Sequence, residues 1–336
     1  MSAQRDLARP REGMDAAYIE ELGPAEGIRV GVLPVPAPGP TDLLVEVDLV
    51  AANPVDTFVR SGRYRTPVPF PFVVGRDLVG RVVAAGPGTS FEPGRRVWCN
   101  SLGHAGRQGS FASFAVVPED RAYPLPDGVD PAVAVAAAHP AATAFLGLFV
   151  HARLGPGETV YIGGGAGNVG SAAVAMAALA GARVICSARP GDVEACRAAG
   201  AEAVLDYRAP DLGARIRGNA PGGVDVFWDT SGHHDFDVVA LTAAAGARVV
   251  LAAAAGEGRP ALAVRDFYTR DLILAGFVIS RASVADLAVA AALINHMLAR
   301  GQLRPRVAEV LPLGATPEVH RRLEAGEVTG RVLLRP

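Results

Sequence analysis

The chain has 336 residues, half of them hydrophobic, with 32 basic and 34 acidic residues and a formal net charge of −2. The two signs are interspersed, so no electrostatic footprint for nucleic acid is present. No stretch approaches the roughly 20 uninterrupted apolar residues of a bilayer-spanning helix; the longest candidate, AVAVAAAHPAATAFLGLFV, is broken by His139 and Pro140.

The polar opening MSAQRDLARPREGM lacks the apolar core of a signal peptide, and a soluble, cytoplasmic protein is expected, with residues 1–13 a disordered extension. From Met14 to about residue 138, proline and glycine punctuate short β-rich segments such as DLLVEVDLVAAN, LVGRVVAAG and RRVWCN. These predict a twisted, mainly antiparallel β domain. From residue 159 the texture changes. TVYIGG, RVICSA, EAVLDY, GVDVFWDT and ARVVLAA read as strands, with helices over GSAAVAMAALAGA, DVEACRAAGA and residues 235–244. Strands alternating with helices predict a parallel sheet covered on both faces. DLILAGFVI reads as an edge strand, VADLAVAAALINHMLARGQL as a helix ending in glycine, and GRVLLRP as a last strand. Cys99, Cys186 and Cys196 have no metal-binding or redox spacing and read as reduced structural thiols. Every basic residue is arginine, which excludes Schiff-base chemistry on a lysine.

The stretch YIGGGAGNVG carries glycines at 165, 167 and 170 in the G-x-G-x-x-G spacing. Alone the pattern is weak in a chain with 39 glycines, but here it follows a strand and opens a helix inside a repeated βα pattern. Gly164, Gly165, Ala166, Gly167, Asn168, Val169 and Gly170 are therefore candidates to cradle a pyrophosphate at a helix N-terminus. At the end of the next strand, an NAD site wants an acidic residue for the ribose 2′-OH. Residues 186–189 are instead Cys-Ser-Ala-Arg, where Ser187 is small and polar and Arg189 suits a 2′-phosphate. NADPH is favoured over NADH on this ground. Asp192 stands nearby at a helix start, as a cap.

NPVDTFVRSGRY, followed by PFPFVVGRDLVGRVVAAGPG, resembles the zinc-free quinone oxidoreductase (zeta-crystallin-like) branch of the medium-chain dehydrogenase/reductase superfamily. The resemblance starts at MDAAYIEELG and runs through LGPGETVYIGGGAGNVGS and GAEAVLDYR to HRRLEAGEVTGRVLL, nearly the whole chain. It implies an α/β protein: a Rossmann domain plus a GroES-like, mainly β catalytic domain. The boundaries expected are 14–138 with 280–336 for the catalytic domain and 139–279 for the NADPH-binding domain. Where the superfamily's zinc members need a cysteine stands Asn53, and where they need Gly-His-Glu stand Gly75, Arg76 and Asp77. An arginine side chain, always protonated, ligates no metal, and no zinc enzyme is expected.

Without a Lewis acid, hydride transfer is easiest to acceptors that delocalise the arriving charge, which quinones and α,β-unsaturated carbonyl compounds do. The resemblance implies an enzyme of that kind, and residue by residue it implies the following. Asn53 lies beside the nicotinamide, with an amide free to bond substrate or cofactor, although Asn before Pro54 is also a turn-former. Tyr64 matches the proposed proton donor of related enoyl reductases, or else only lines the site; its phenol is protonated at neutral pH. Phe58 replaces a tyrosine that many relatives carry. Thr143 falls near the nicotinamide, Tyr207 by the 2′-phosphate, Ser231 with Asp229 and Thr230 in the turn under the cofactor, and Phe277 over the nicotinamide. The family's basic residue at the 2′-phosphate aligns with Asp192, the wrong charge, which leaves Arg189, with Arg208, to compensate. A homodimer paired along the edge strand at residues 272–279 is also implied. The alternatives are an enoyl reductase for enoyl thioester or polyketide-type intermediates, and a non-catalytic NADPH-binding sensor or structural protein.

Overall fold

The structure, a computed structural model, describes residues 13–254 and 258–336. The expected extension therefore lies outside the described residues, except Gly13, which opens the first strand, Gly13–Ile19. The chain divides into two compact units, one from its start to His139 with Val307–Pro336, the other Pro140–Arg306. The second unit thus runs past the boundary at 279 expected from sequence. It takes in the helix Val284–Ala299, whose apolar face (Leu287, Ala290, Ile294, Met297) is buried and which packs on the turn Leu146–His151 of the same unit.

The first unit is mainly β. A three-stranded sheet pairs Gly13–Ile19 antiparallel with Arg29–Pro34 and with Phe72–Val73. A seven-stranded sheet is built around Asp42–Ala51, which pairs antiparallel with Asp77–Ala85, Phe114–Pro118 and Arg331–Arg335. Only Val307–Pro312 beside Arg331–Arg335 is parallel there. Alternation of apolar residues along Asp42–Ala51 turns Leu43, Val45 and Val47 inward onto Leu78, Val82, Val97, Phe111 and Leu334. Two helices interrupt the β texture and were not evident from periodicity, Pro54–Arg60 and Thr316–Glu324. The first begins with proline at its opening position, where no backbone N–H is missed, and Asp56 accepts from the Asn53 N–H at 2.8 Å.

The second unit is a six-stranded, all-parallel sheet: β1 (Thr159–Gly163), β2 (Arg183–Ala188), β3 (Ala203–Asp206), β4 (Val224–Asp229), β5 (Ala243–Leu251) and β6 (Ile273–Gly276). Across the sheet they run β3-β2-β1-β4-β5-β6. The order reverses between β1 and β4, and the carboxyl ends of these strands bound the crevice where such sheets bind ligands. Helices Asn168–Leu179, Val193–Ala198, Leu212–Asn219 and Phe236–Thr242 connect successive strands. Leu212–Asn219 gives no helical period in the sequence, because its arginines and glycines leave Leu212, Ala214 and Ile216 as its only apolar residues. The apolar stretch at Pro131 is one continuous helix through His139 and Pro140, ending in a π-helical turn over Leu146–His151. By length and composition it would cross a membrane, but 78% of its most apolar window is buried in protein.

Candidate functional site

The glycine loop joins β1 to the helix Asn168–Leu179, and its shape requires glycine for two reasons. Gly164 has φ +71°, in the left-handed region. A side chain at Gly170 would place its Cβ 2.1 Å from the Gly164 carbonyl oxygen. The loop is tied to β2 by the Gly165 N–H donating to the Ser187 carbonyl at 2.8 Å, and to itself by Gly167 N–H donating to Gly164 O at 2.8 Å. Gly167 caps the helix with no side chain, so the positive end of twelve residues opens at the carboxyl end of β1. On its far side, Gly165 lies over Cys186 and Cys196. All three cysteines are free and buried. The Cys186 thiol donates to Cys196, which raises the first and lowers the second.

Ser187 is 1% exposed, and its Oγ accepts from the Tyr161 hydroxyl at 2.9 Å. Its side chain thus bonds β1, and its carbonyl is the group that receives the Gly165 N–H of the loop. Arg189 stands free of the core but is not alone: its Nε donates to Asp192 Oδ2 at 3.0 Å and its Nη2 lies 2.9 Å from the same oxygen. Asp192, expected as a helix cap, makes no capping bond; its carboxylate is drawn to arginine instead. Strand register sets Ala188 beside Asp206, which brings the exposed Tyr207 to the same sheet end, with the Arg208 guanidinium 5.4 Å from its ring centre. At the end of β4, Thr230 Oγ1 donates to Gly163 O at 2.7 Å, and the Ser231 hydroxyl and N–H both donate to Asp229. A Cβ on Gly164 would lie 3.1 Å from Thr230 Oγ1 and 3.7 Å from Ser231 Cβ, so this turn and the glycine loop touch. Phe277 stacks on His151 with centroids 4.6 Å apart and stands edge-on to the buried Trp228. Thr143 is buried in the helix Pro131–Phe145.

In the first unit, Asn53 is 1% exposed and bonded on every side. Its Nδ2 donates to Ala51 O at 3.1 Å and to Asp77 Oδ2 at 2.9 Å, while Oδ1 accepts from Arg331 Nη2 at 2.9 Å. The amide expected to meet substrate or cofactor has these three protein partners. Arg331 also approaches Asp77 at 3.4 Å, and His139 stands 3.7 Å from the other Asp77 oxygen. Burial raises Asp56 to about 6 and Asp77 to about 7, against the pull of Arg76 and Arg331. His139 is pushed well below its usual range by burial and by the same two arginines, so it is neutral. Arg76 is 1% exposed, with Nε and Nη2 lacking hydrogen-bond partners. Two carboxylates and two guanidiniums thus face one another out of water, a balance that makes the burial tolerable. Sequence reasoning missed Arg331 as a member, because it lies 278 residues from Asn53 and nothing local marks it.

Tyr64 is half-buried and packs against the core of that unit, close enough to Arg76 to act on its charge. Its N–H donates to Phe58 O at 2.9 Å, its ring tilts against His104 at 5.8 Å, and Arg63 lies over the Phe58 ring. It lines a pocket of about 330 Å³ with Leu22, Val59, Gly62, Thr66 and Pro67. A larger groove, about 570 Å³, is bordered by Asp15, Val30, Leu313 and Arg335 and includes no residue expected at the site.

A GroES-like β unit and a parallel sheet in β3-β2-β1-β4-β5-β6 order with a glycine loop at its switch point define a class, the two-domain NAD(P)-dependent oxidoreductases. Two family profiles agree: an alcohol dehydrogenase GroES-like domain over residues 39–127 and a zinc-binding dehydrogenase over 168–295. The mouse (Mus musculus) quinone oxidoreductase is 27% identical, with 98% of this chain and 99% of the relative aligned. A solved NAD-dependent alcohol dehydrogenase is 31% identical at TM-score 0.86, covering 96% of this chain and 99% of the other. A mycobacterial protein solved in complex with NADPH is 29% identical at TM-score 0.82, covering 96% and 100%. The chain belongs to the medium-chain dehydrogenase/reductase superfamily, as a quinone oxidoreductase-like protein. Its residues do not fit the zinc that the second family's description names. Among the described residues no group of three or more His, Cys, Asp or Glu could hold a metal, and the buried Arg76 carries a guanidinium, which ligates none.

Proposed function

We propose that this protein is an NADPH-dependent, zinc-independent oxidoreductase whose acceptor is a quinone or an α,β-unsaturated carbonyl compound. The observation that carries the reading is the buried cluster in which Asn53, Asp77 and Arg331 are bonded to one another, with the charges of Arg76 and Asp56 beside them. Paired charge rather than a ligand set, at the positions that the resemblance matches to zinc ligands, supports a metal-free reading. An acceptor then has to stabilise incoming negative charge by conjugation. When bound, the nicotinamide cofactor supplies the hydride. The glycine loop and the Thr230–Ser231 turn hold its phosphates and ribose, with Thr143 and Phe277 beside the nicotinamide. Tyr64 holds a proton on its phenol oxygen and gives it to the enolate or phenolate formed on the acceptor. Asn53 is a positioning residue: it ties the start of the helix Pro54–Arg60 to the strands carrying Asp77 and Arg331. The three free cysteines agree with a cytoplasmic site of action.

The test is steady-state oxidation of NADPH with quinones, enones and enoyl thioesters, before and after treatment with a chelator. Turnover of quinones or enones that survives chelation is expected. Chelator-sensitive turnover overturns the metal-free reading, and turnover confined to enoyl thioesters selects an enoyl reductase. Binding of NADPH with no acceptor able to oxidise it leaves a sensor or structural protein. In the same assay Tyr64→Phe lowers kcat for an enone roughly 10²-fold; an unchanged rate removes Tyr64 from the chemistry. A second reading of the cofactor, NADH, is favoured by one observation: Asp192 is an acidic residue close to where a ribose 2′-OH would be accepted.

A further inference from the structure

Asp192 is 8% exposed, yet two largely exposed arginines converge on it. Arg189 takes one carboxylate oxygen through Nε and Nη2, and Arg306 brings Nη1 to 3.7 Å from the other. Arg306 is the last residue of the second unit, far along the chain from the strand end that it joins. We infer that Arg306 is the second cation of a 2′-phosphate site at the end of β2, held there with Arg189 by the buried carboxylate of Asp192.

Three features carry this. A guanidinium has two hydrogen-bonding edges, and Asp192 takes only the Nε edge of Arg189 and one terminal nitrogen of Arg306, so N–H groups of both still face solvent. The charges at this sheet end do not cancel: Arg189, Arg306 and Arg208 stand against the carboxylates of Asp192 and Asp206. The surplus is positive, as a phosphate dianion needs. Finally, a carboxylate with both oxygens approached by arginine is a poor acceptor for a ribose hydroxyl, which turns the one acidic residue here from an NADH signal into a scaffold for its rival. Asp192 would thus do for the two arginines what an orienting carboxylate does for a metal-ligating histidine, fixing direction without touching the ligand.

The inference rests on the NADPH reading, and the experiment separates the two. Dissociation constants for NADPH, NADH, 2′,5′-ADP and 5′-AMP are measured by calorimetry for the wild type, Arg189→Ala and Arg306→Ala. Expected for Arg306→Ala is a loss of about tenfold for NADPH and 2′,5′-ADP, with NADH and 5′-AMP within twofold of wild type and a weaker dependence on salt. Unchanged NADPH binding in Arg306→Ala, while Arg189→Ala loses it, overturns the role of Arg306 and leaves the cofactor reading standing. Equal losses for NADPH and NADH reduce Arg306 to a structural residue. A wild type that binds 2′,5′-ADP no more tightly than 5′-AMP removes the NADPH reading and this site together.

Discussion

His320 is completely buried in the helix Thr316–Glu324, and neither ring nitrogen has a hydrogen-bond partner. Its ring stands edge-on to Phe111 at 6.2 Å inside the apolar core of the first unit. Burial, with a smaller push from Arg60, lowers its pKa from 6.5 to about 3. The folded state therefore binds fewer protons than the unfolded one between those values, and His320 withdraws stability as pH falls through 6.5. From pH 7 to pH 5 the loss is about 2 kcal/mol. Asp56 and Asp77 act with the opposite sign: burial raises both, so the folded state binds extra protons above pH 4 and gains stability as pH falls. Comparing wild type with His320→Leu isolates the histidine. The variant should be the more stable at pH 7 by about 1 kcal/mol, since an orphaned polar group is removed, and its advantage in urea midpoint should widen at pH 5. A constant gap would show that His320 does not titrate as its burial requires. No sequence pattern announced this residue, because a histidine on a helix looks the same whether its face meets solvent or Phe111. Asn53 teaches the same lesson at the site: its side chain reads as available until Ala51, Asp77 and Arg331 are seen around it.

At the scale of elements, the glycine loop was legible because its demands are local. A tight turn, a left-handed Gly164 and a helix pressed against its own turn all fall within seven residues, and each demand selects glycine. Gly170→Ala tests the closest approach. Its Cβ would overlap the Gly164 carbonyl, a backbone atom that cannot swing aside, so the loop or the helix must shift. The expected result is a destabilisation of roughly 1–3 kcal/mol and a clear loss of NADPH affinity; unchanged affinity and an unchanged melting temperature would show that the loop tolerates the methyl. Strands β1, β2, β3, β4 and β5 were legible as short apolar runs with glycine or aspartate at their ends. The helices Pro54–Arg60 and Leu212–Asn219 were not, being short and carrying too few apolar residues for a 3.6-residue period to stand out.

For the whole molecule, the open question is its β6 edge. Ile273 is 55% exposed and Leu274 42%, on a strand whose outer backbone groups have no neighbouring strand among the described residues. Exposed apolar edges of this kind invite pairing with another chain. We expect a homodimer joined along β6 by a two-fold axis, sedimenting at twice the 34.6 kDa of one chain, and Ile273→Arg should shift it to monomer. A wild type that sediments as a monomer at micromolar concentration removes the dimer.

The sequence by itself determined the fold class, the alternation of β and α elements and the glycine loop, since these follow from periodicity and from backbone demands met within a few residues. Only the tertiary structure decided where the second unit ends, what Asn53 bonds and which second arginine meets Asp192. Those outcomes depend on side chains such as Arg331 and Arg306, brought in from the far end of the chain. Buried charges take whichever partner the fold sets beside them, and no spacing in the sequence records that choice.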